Sequence, residues 1–248
     1  MQKLSCSLDQ NGVPCVSADQ IENYAEAMLE DYDPRLVRQP QALDIDLFTE
    51  KYLEANLEIR PITPDRSILG VTVFQGGYIP VYDRSKGALV PLDVCERTII
   101  VEQGLLNPRE PGRFNFTVAH EAGHLACHAD VHIESGMVHR MNGGSTYIMC
   151  RESANGYDRH KPEEWLEWQA DYMAGALLMP RRAFCAAVDN ALALQGRFSG
   201  PLGWNILKRD VRIRNMVISY VADVFKTSHK ATGVRLRRLE AQQFVYCR

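Results

Sequence analysis

The chain has 248 residues, of which 46% are hydrophobic, and its formal net charge is −3. These values are typical of a globular protein with one large domain or two small ones, and they exclude a low-complexity or strongly charged chain. No run approaches about 18 apolar residues, so we expect no membrane span. The N-terminus has no apolar signal core and the seven cysteines show no CxxC spacing. We therefore expect reduced thiols in a cytoplasmic protein.

The N-terminal part predicts helices separated by a linker. Ser17 and Gln20 have the spacing of a capping box and precede an apolar stripe, which predicts a helix over 18–30. Two prolines indicate a linker over 31–41. A second helix is predicted over roughly 44–55.

A small sheet is expected next along the chain. Strand-like runs of apolar and β-branched residues occupy residues 57–59, 68–74, 78–82 and 98–101. Gly76 and Gly77 predict a hairpin between the second and third of these runs. An exposed strand beside a cleft can pair with an extended peptide backbone, although the pattern does not show which strand forms that edge.

The most informative segment is HEAGH at residues 120–124, an HExxH motif. Helix positions i and i+4 share a face, so His120 and His124 can bind one metal ion. Glu121 lies about 100° round the helix, where it can act on a water molecule without binding the metal. Apolar residues at helical spacing predict a helix here, with Asn115 or Thr117 as its cap. The pattern is typical of zinc-assisted peptide hydrolysis. The alternative is a buried helix with two hydrogen-bonded histidines.

A catalytic zinc ion usually has a third protein ligand and one open position. The metzincin spacing requires a glycine and then a ligand histidine at the positions that hold Cys127 and Asp130, so we reject it. Cys127 is close enough along the helix to touch the site. We expect it to be a buried structural thiol rather than a redox sensor.

A later helix offers the third ligand. Residues 163–179 are predicted to be helical because a proline stands at each end. Glu167 and Asp171 share one face of this helix, so Glu167 is our candidate ligand and Asp171 is expected to accept an N–H from a ligand histidine. The alternative is that Glu167 is solvated helix surface. Glu163 and Glu164, near the helix start, are further candidate ligands.

Two segments resemble the ImmA/IrrE family of metallo-endopeptidases. Residues 113–124, RFNFTVAHEAGH, resemble the family signature RFTLAHELGH, and residues 167–180, EWQADYMAGALLMP, resemble ExxANxFAxxLLMP. Residues 43–46 are similar to the family's opening helix. The likeness spans roughly residues 41–182, and a long insert at about 130–162 departs from it.

The resemblance implies an α+β fold, namely a zincin-like minimal metalloprotease domain with a small sheet and an HExxH helix, followed by a helical C-terminal segment. It implies one zinc ion per chain held by His120, His124 and Glu167, with Glu121 as the catalytic base. Members are zinc-dependent endopeptidases that act on protein substrates. Some cleave a helix-turn-helix repressor of a mobile element and so regulate transcription, which makes such a repressor the implied partner.

The insert is expected to form a flap or a substrate wall, with a turn followed by a short strand over 146–150. Three tyrosines are candidates for stabilising an oxyanion or contacting substrate: Tyr147, Tyr157 and Tyr172. The alternative for each is ordinary packing in the core or on the surface. His128 is expected to be a polar group near a helix end rather than a further ligand.

Charge is unevenly distributed, since acids outnumber bases in residues 1–66 and bases outnumber acids in 181–248. We expect three units: an N-terminal helix and linker over 1–40, the catalytic domain over 41–182, and a basic helical segment over 183–248 with a helix-turn-helix-like pair. This raises an alternative function, a non-catalytic zinc-containing regulator that binds DNA or a repressor. Basic balance alone does not favour a nucleic-acid partner over a solvated helical cap.

Overall fold

The computed structural model describes residues 4, 6–9, 12–129, 139–140, 145–151, 161–196 and 201–246. Helices and strands are mixed, which confirms the α+β class. The helices are α1 Ala18–Tyr32, α2 Pro34–Arg38, α3 Ile45–Lys51, α4 Pro111–His128, α5 Pro162–Leu178, α6 Arg181–Leu194, α7 Pro201–Arg209, α8 Val211–Phe225 and α9 His229–Tyr246. The strands are β1 Asn56–Arg60, β2 Ile68–Gln75, β3 Gly77–Asp83, β4 Ala88–Val94, β5 Thr98–Glu102, β6 His139–Arg140 and β7 Thr146–Arg151. In the described part of the chain, no helix has the length and apolar character needed to cross a membrane.

The strands form two sheets. One has the order β1-β5-β2-β7-β6, in which β1 is parallel to β5 and the other neighbours are antiparallel. The other is the pair β3-β4. The predicted hairpin at Gly76 and Gly77 is therefore wrong, because β2 pairs with β5 and β7 while β3 pairs with β4. The chain leaves one sheet for the other at these glycines, and Gly77 has a φ of 141°.

Several helix boundaries differ from the sequence predictions. The stretch predicted as a linker contains α2, which begins at Pro34 because the Asp33 side chain accepts from the amide of Arg35. Helix α3 is shorter than predicted and ends before Glu54, whose φ of 51° is left-handed. Helix α1 begins with the expected capping box at Ser17.

Helix α4 begins earlier than the predicted caps Asn115 and Thr117. Pro111 occupies its first turn, where a missing N–H costs nothing, and no side chain caps it. Asn115 instead donates to the Lys226 carbonyl, and Thr117 to the Arg113 carbonyl. The Asn115 bond therefore ties α4 to the connection between α8 and α9, whereas the Thr117 bond lies within α4.

Helices α4 and α5 pack against each other, and α4 also lies on β2. Their closest approach is at Gly123, where a Cβ atom would lie 3.0 Å from the Ala170 carbonyl oxygen. Because glycine has no side chain, the two helices come close enough for the polar side chains of both to meet. This packing positions the candidate site.

The main hydrophobic cluster includes residues from Val16 to Leu239. It therefore draws on all three of the predicted units, whose division into 1–40, 41–182 and 183–248 stays a prediction. A buried ion pair joins both ends of the chain to this core, since Arg235 of α9 pairs with Glu22 of α1. The Arg235 Nε atom also donates to the Met179 carbonyl at 3.0 Å, just after α5.

Candidate metal centre

Helix α4 presents two imidazoles to one point. His120 and His124 are one turn apart and both are buried, and their Nε2 atoms lie 3.1 Å apart. A cation bound between the two imidazole nitrogens would stabilise their close approach. The helical geometry expected from the HExxH spacing is therefore present.

Helix α5 supplies a carboxylate to the same point. The Glu167 Oε2 atom lies 3.2 Å from His120 Nε2, and its Oε1 atom lies 3.3 Å from His124 Nε2. Glu164, a fallback candidate, pairs with Lys161 at the helix start. The side chain of Glu163, the other fallback, lies outside the described residues. Of the candidate third ligands with a described side chain, only Glu167 meets the two histidines.

The three groups fit a tetrahedral zinc ion. Nitrogen and oxygen ligands at about 2.0–2.1 Å from such an ion lie about 3.3 Å from one another. The Nε2–Nε2 distance of 3.1 Å is close to that edge. So are the distances of 3.2 Å from His120 to Glu167 Oε2 and 3.3 Å from His124 to Glu167 Oε1, which involve the two oxygens of the carboxylate. Their donor set, two imidazoles and one carboxylate, is also one that catalytic zinc uses.

The electrostatics of the site favour a positive charge. Burial alone would lower the pKa of His120, but Asp171 and Glu167 outweigh it and raise that pKa well above its usual value. Burial would raise the pKa of Glu167, but the two imidazoles lower it below the usual range. The carboxylate is thus held ionised, and a cation is stabilised at this point.

Asp171 fixes the orientation of His120. Its carboxylate oxygen accepts a hydrogen bond from His120 Nδ1 at 2.8 Å. Because a carboxylate only accepts, Nδ1 carries a proton, and Nε2 is the nitrogen that faces the cluster and would bind a metal. The structure thus brings Asp171 to the position expected from the sequence.

A different chain of hydrogen bonds fixes His124. The Pro14 carbonyl accepts from Gln169 Nε2 at 2.7 Å, which turns the amide oxygen of Gln169 toward His128 Nε2 at 3.0 Å. His128 must donate there, so its Nδ1 accepts from His124 Nδ1 at 2.9 Å. The Nε2 atom of His124 is then left as a lone pair facing the cluster.

His128 is therefore more than a polar group near a helix end. Burial, assisted by His124, lowers the pKa of His128 to about 3, which keeps it neutral. A neutral ring can donate through one nitrogen and accept through the other, as this chain requires. Sequence reasoning missed the roles of His128 and Gln169.

Glu121 lies beside the cluster, and its carboxylate packs closely against Thr72 and Gly70 of β2. Its side chain is fully buried, and Thr72 Oγ1 donates to Oε2 at 2.6 Å. Its Oε1 atom has no hydrogen-bond partner among the described residues. A Cβ atom at Gly70 would lie 2.1 Å from that oxygen, so only glycine leaves room for it. Burial raises the pKa of Glu121, while His120 and His124 oppose the rise.

The two tyrosine candidates that the structure describes, Tyr147 and Tyr172, pack in the core. Tyr147 of β7 is buried in the second hydrophobic cluster, with residues of β2 and β3. Tyr172 hydrogen-bonds to Glu22, and Arg238 lies over its ring at 4.8 Å. Both match the packing alternative rather than an oxyanion role. Tyr157 and most of the proposed flap lie outside the described residues.

A cysteine other than the one expected touches the site. Cys127 packs in the main hydrophobic cluster, where burial raises its pKa to about 12. Cys150 of β7 instead lies beside the metal cluster, with its Sγ 3.7 Å from Glu167 Oε1. Its position depends on strand pairing across the sheet, so helical spacing gave no signal for it.

An HExxH helix, a carboxylate from a following helix and an α+β frame together define a zincin-like protein. Residues 105–192 match the model of the peptidase family M78, described as the IrrE N-terminal-like domain. This match confirms the resemblance to the ImmA/IrrE family for the segment that holds His120, His124 and Glu167. Helices α1–α3 and α7–α9 lie outside it. No curated protein matches the chain.

Proposed function

We propose that the protein is a zinc-dependent endopeptidase. His120, His124 and Glu167 hold the zinc ion, and Glu121 is the catalytic base. The observation that carries this proposal is the convergence of two imidazoles and an ionised carboxylate next to a buried carboxylate oxygen that has no partner among the described residues. The match to a peptidase family supports it.

A bound zinc ion would polarise the scissile carbonyl and lower the pKa of water toward about 7. The protein side chains do the remaining work. Glu121 accepts the proton of the attacking water and then donates it to the leaving amine nitrogen. Thr72 holds Oε2 of Glu121, which leaves Oε1 directed at the reaction. Asp171 and the His128–Gln169 chain keep both imidazoles in the orientation that the metal requires.

The neighbouring strand supports a peptide substrate. On the side of β7 away from β2, β6 pairs with Thr146 and Tyr147, and within the described part of the chain no strand pairs with the rest of that edge. An extended peptide can hydrogen-bond to such an edge. Cys150 lies in this part of β7 and touches Glu167, so a peptide bound there passes close to the metal cluster. The substrate class is therefore a protein or an extended peptide.

A cytoplasmic helix-turn-helix repressor, which the resemblance implies, is the first protein to test as a substrate. A reducing compartment would keep thiols such as Cys6, Cys15 and Cys95 reduced, and these three form no disulfide among the described residues. Co-incubation with such a repressor, followed by mass spectrometry of the fragments, identifies the cleaved bond. If the repressor stays intact while another protein is cleaved, the peptidase assignment stands but the repressor is excluded as the substrate.

The decisive experiment is the Glu121→Gln variant. The amide fits the same space but cannot accept the proton, so we expect zinc content equal to wild type and cleavage reduced by at least about 100-fold. Metal analysis and a peptide-cleavage assay measure the two effects. Glu164→Gln, on the solvent side of α5, is the matched control and should alter neither. Wild-type cleavage by Glu121→Gln would refute the proposed mechanism.

The competing function is a regulator whose zinc ion serves the fold alone. Removing a purely structural metal should collapse the fold, whereas this site sits on helices already packed in the core. We therefore expect chelator-treated protein to keep a cooperative melting transition. DNA binding is not favoured, because Arg235 pairs with buried Glu22 and Arg214 pairs with Glu240. Salt-dependent binding to nonspecific duplex DNA would reopen that alternative.

A further inference from the structure

Cys150 is part of the metal cluster itself. Four potential ligand atoms lie within 4.8 Å of one another, one each from His120, His124, Glu167 and Cys150. The thiol is buried and its Sγ is 3.7 Å from Glu167 Oε1. A sulfur ligand about 2.3 Å from a tetrahedral zinc ion lies about 3.5 Å from an oxygen ligand of the same ion. The 3.7 Å between Cys150 Sγ and Glu167 Oε1 thus matches the distance between two ligands of one zinc ion, and the two histidines lie in the same group of atoms.

The pairing of β2 with β7 directs the thiol to this place. Gly70 is opposite Cys150, while Ile68 is opposite Arg151, so the register shifts between them and β2 has one extra residue. From Gly70 to Val73 the pairing with β7 is regular, so Cys150 and Tyr147 lie on opposite faces of the sheet. Alternation along β7 then places Cys150 toward the cluster and Tyr147 in the opposite hydrophobic cluster.

Glu121 provides an independent indication that this point receives a ligand. Its buried Oε1 atom has no partner among the described residues and lies against Gly70, the pairing partner of Cys150. The thiol therefore stands between the catalytic carboxylate and Glu167. In a zinc hydrolase with three protein ligands, the attacking water occupies the fourth coordination position, and here the thiol lies at that position.

We propose that Cys150 is the fourth protein ligand of the metal in the resting protein, so that the site closes itself and the peptidase is latent. This inference rests on the proposed function. When the metal binds, the thiol gives its proton to the Glu121 carboxylate and binds as a thiolate. With four protein ligands, no position stays open for water. Since Cys150 lies on the strand whose edge receives the peptide, substrate pairing and release of the thiolate involve the same strand.

Cobalt(II) substitution tests the ligand set without any measurement of activity. The metal-free protein is loaded with cobalt, and its absorption spectrum is recorded. Visible d–d bands report a cobalt ion in a site of low coordination number, and a thiolate-to-cobalt charge-transfer band in the near ultraviolet reports a sulfur ligand. We expect wild type to show both. Cys150→Ala should keep the d–d bands and lose the charge-transfer band, whereas Cys127→Ala, which removes another buried thiol, should keep both.

The outcomes separate this inference from the proposed function. Visible bands without charge transfer in wild type would remove Cys150 from the ligand set and leave the peptidase assignment intact. Charge transfer that persists in Cys150→Ala would assign the sulfur to another residue. A wild-type protein without visible bands would overturn both proposals. If Cys150→Ala does not fold, Cys150→Ser, which removes the sulfur with less change in side-chain size, takes its place and should also lose the charge-transfer band.

The latent state has a second consequence. Zinc-loaded Cys150→Ala should cleave a peptide faster than zinc-loaded wild type, because water can reach the vacated position. Cys127→Ala should cleave at the wild-type rate. Equal rates for wild type and Cys150→Ala would show that the thiol does not block the site.

Discussion

Two buried polar clusters lie along helix α5, and they balance their charge in opposite ways. At the end of α5, Glu22 is paired with Arg235, and both are almost completely buried. Along the middle of α5, Glu167 faces His120 and His124, and the neighbouring Glu121 has an oxygen without a partner in the described part of the chain. The first cluster contains a permanent cation, the Arg235 guanidinium, whereas in the second only a proton on His120 or a metal ion can supply the positive charge.

This difference in charge compensation indicates that the first cluster stabilises the fold and that the second binds a metal ion. A buried carboxylate is costly unless a cation or several hydrogen bonds compensate it. Arg235 compensates Glu22 and also donates to Met179, so that cluster is complete without any ligand. In the His120–Glu167 cluster the positive charge is a proton on His120, which a metal ion displaces when it binds. The predictions below test this contrast by removing the internal cation, then a metal ligand, then a support of a ligand.

The largest effect on stability is expected from Arg235→Met. This change leaves the Glu22 charge buried, and removing one partner of a buried pair costs about 3–5 kcal/mol. Arg181 stays 3.6 Å from Glu22 and offsets part of that cost, so we expect about 3 kcal/mol. For a chain of this size the melting temperature should fall by about 6–12 °C. Urea unfolding measures the loss, and the cobalt spectrum should not change.

Two further variants isolate the pair. Arg237→Met, two residues along α9 at an exposed position, is the matched control and should change the free energy of unfolding by no more than about 0.5 kcal/mol. The double variant Glu22→Leu with Arg235→Met removes both charges and should recover much of the loss. An unstable double variant would show that packing, rather than charge, makes Arg235 important.

Glu167→Gln should act in the opposite way, with a large effect on metal binding and a small one on the metal-free fold. The neutral amide is a poor zinc ligand, so affinity should fall by more than the 10–100-fold expected for loss of a supporting residue. Competition with a chromophoric chelator measures it, with Glu164→Gln as control. Unchanged zinc affinity would take Glu167 out of the ligand set.

Gln169→Leu should have a smaller effect on the same site. It breaks the link between the Pro14 carbonyl and His128, so His128 no longer fixes the proton of His124 on Nδ1. We expect zinc affinity to fall by about 10–100-fold. Trp165→Phe is the control, because it also removes a hydrogen bond to Pro14 but lies outside the chain to His124. Equal losses in both variants would point to displacement of the N-terminal segment instead.

The local part of this site could be predicted from the sequence. His120 and His124 lie together because helical spacing places them so, and Asp171 meets His120 because it is one turn from Glu167. These relations depend on one helix at a time, together with the expectation that α4 and α5 pack face to face. The family resemblance supplied that last step.

The missed parts depend on contacts between distant segments. Cys150 reaches the metal cluster because β7 pairs with β2 and places it opposite Gly70, and no local pattern encodes that pairing. The support of His124 ends at a backbone carbonyl, which any residue at position 14 would provide. Strand β4 was not predicted, and its pairing with β3 replaces the expected hairpin at Gly76 and Gly77. Local periodicity cannot show which strand pairs with which.

The smallest effect expected is in the response to acid. Burial would raise the pKa of Glu22, but Arg235 and Arg181 outweigh it and hold that pKa below its usual value. A carboxylate with a lowered pKa stabilises the fold at neutral pH, and this contribution is lost as the pH falls below about 4.3 toward the folded-state pKa. Chelator-treated wild type should therefore lose stability in acid more steeply than the double variant Glu22→Leu with Arg235→Met. Urea midpoints measured from neutral pH down to about pH 3 compare the two. If the urea midpoints of the two proteins fall in parallel with pH, Glu22 keeps its usual pKa in the folded protein. Arg235 would then not stabilise Glu22 through its charge.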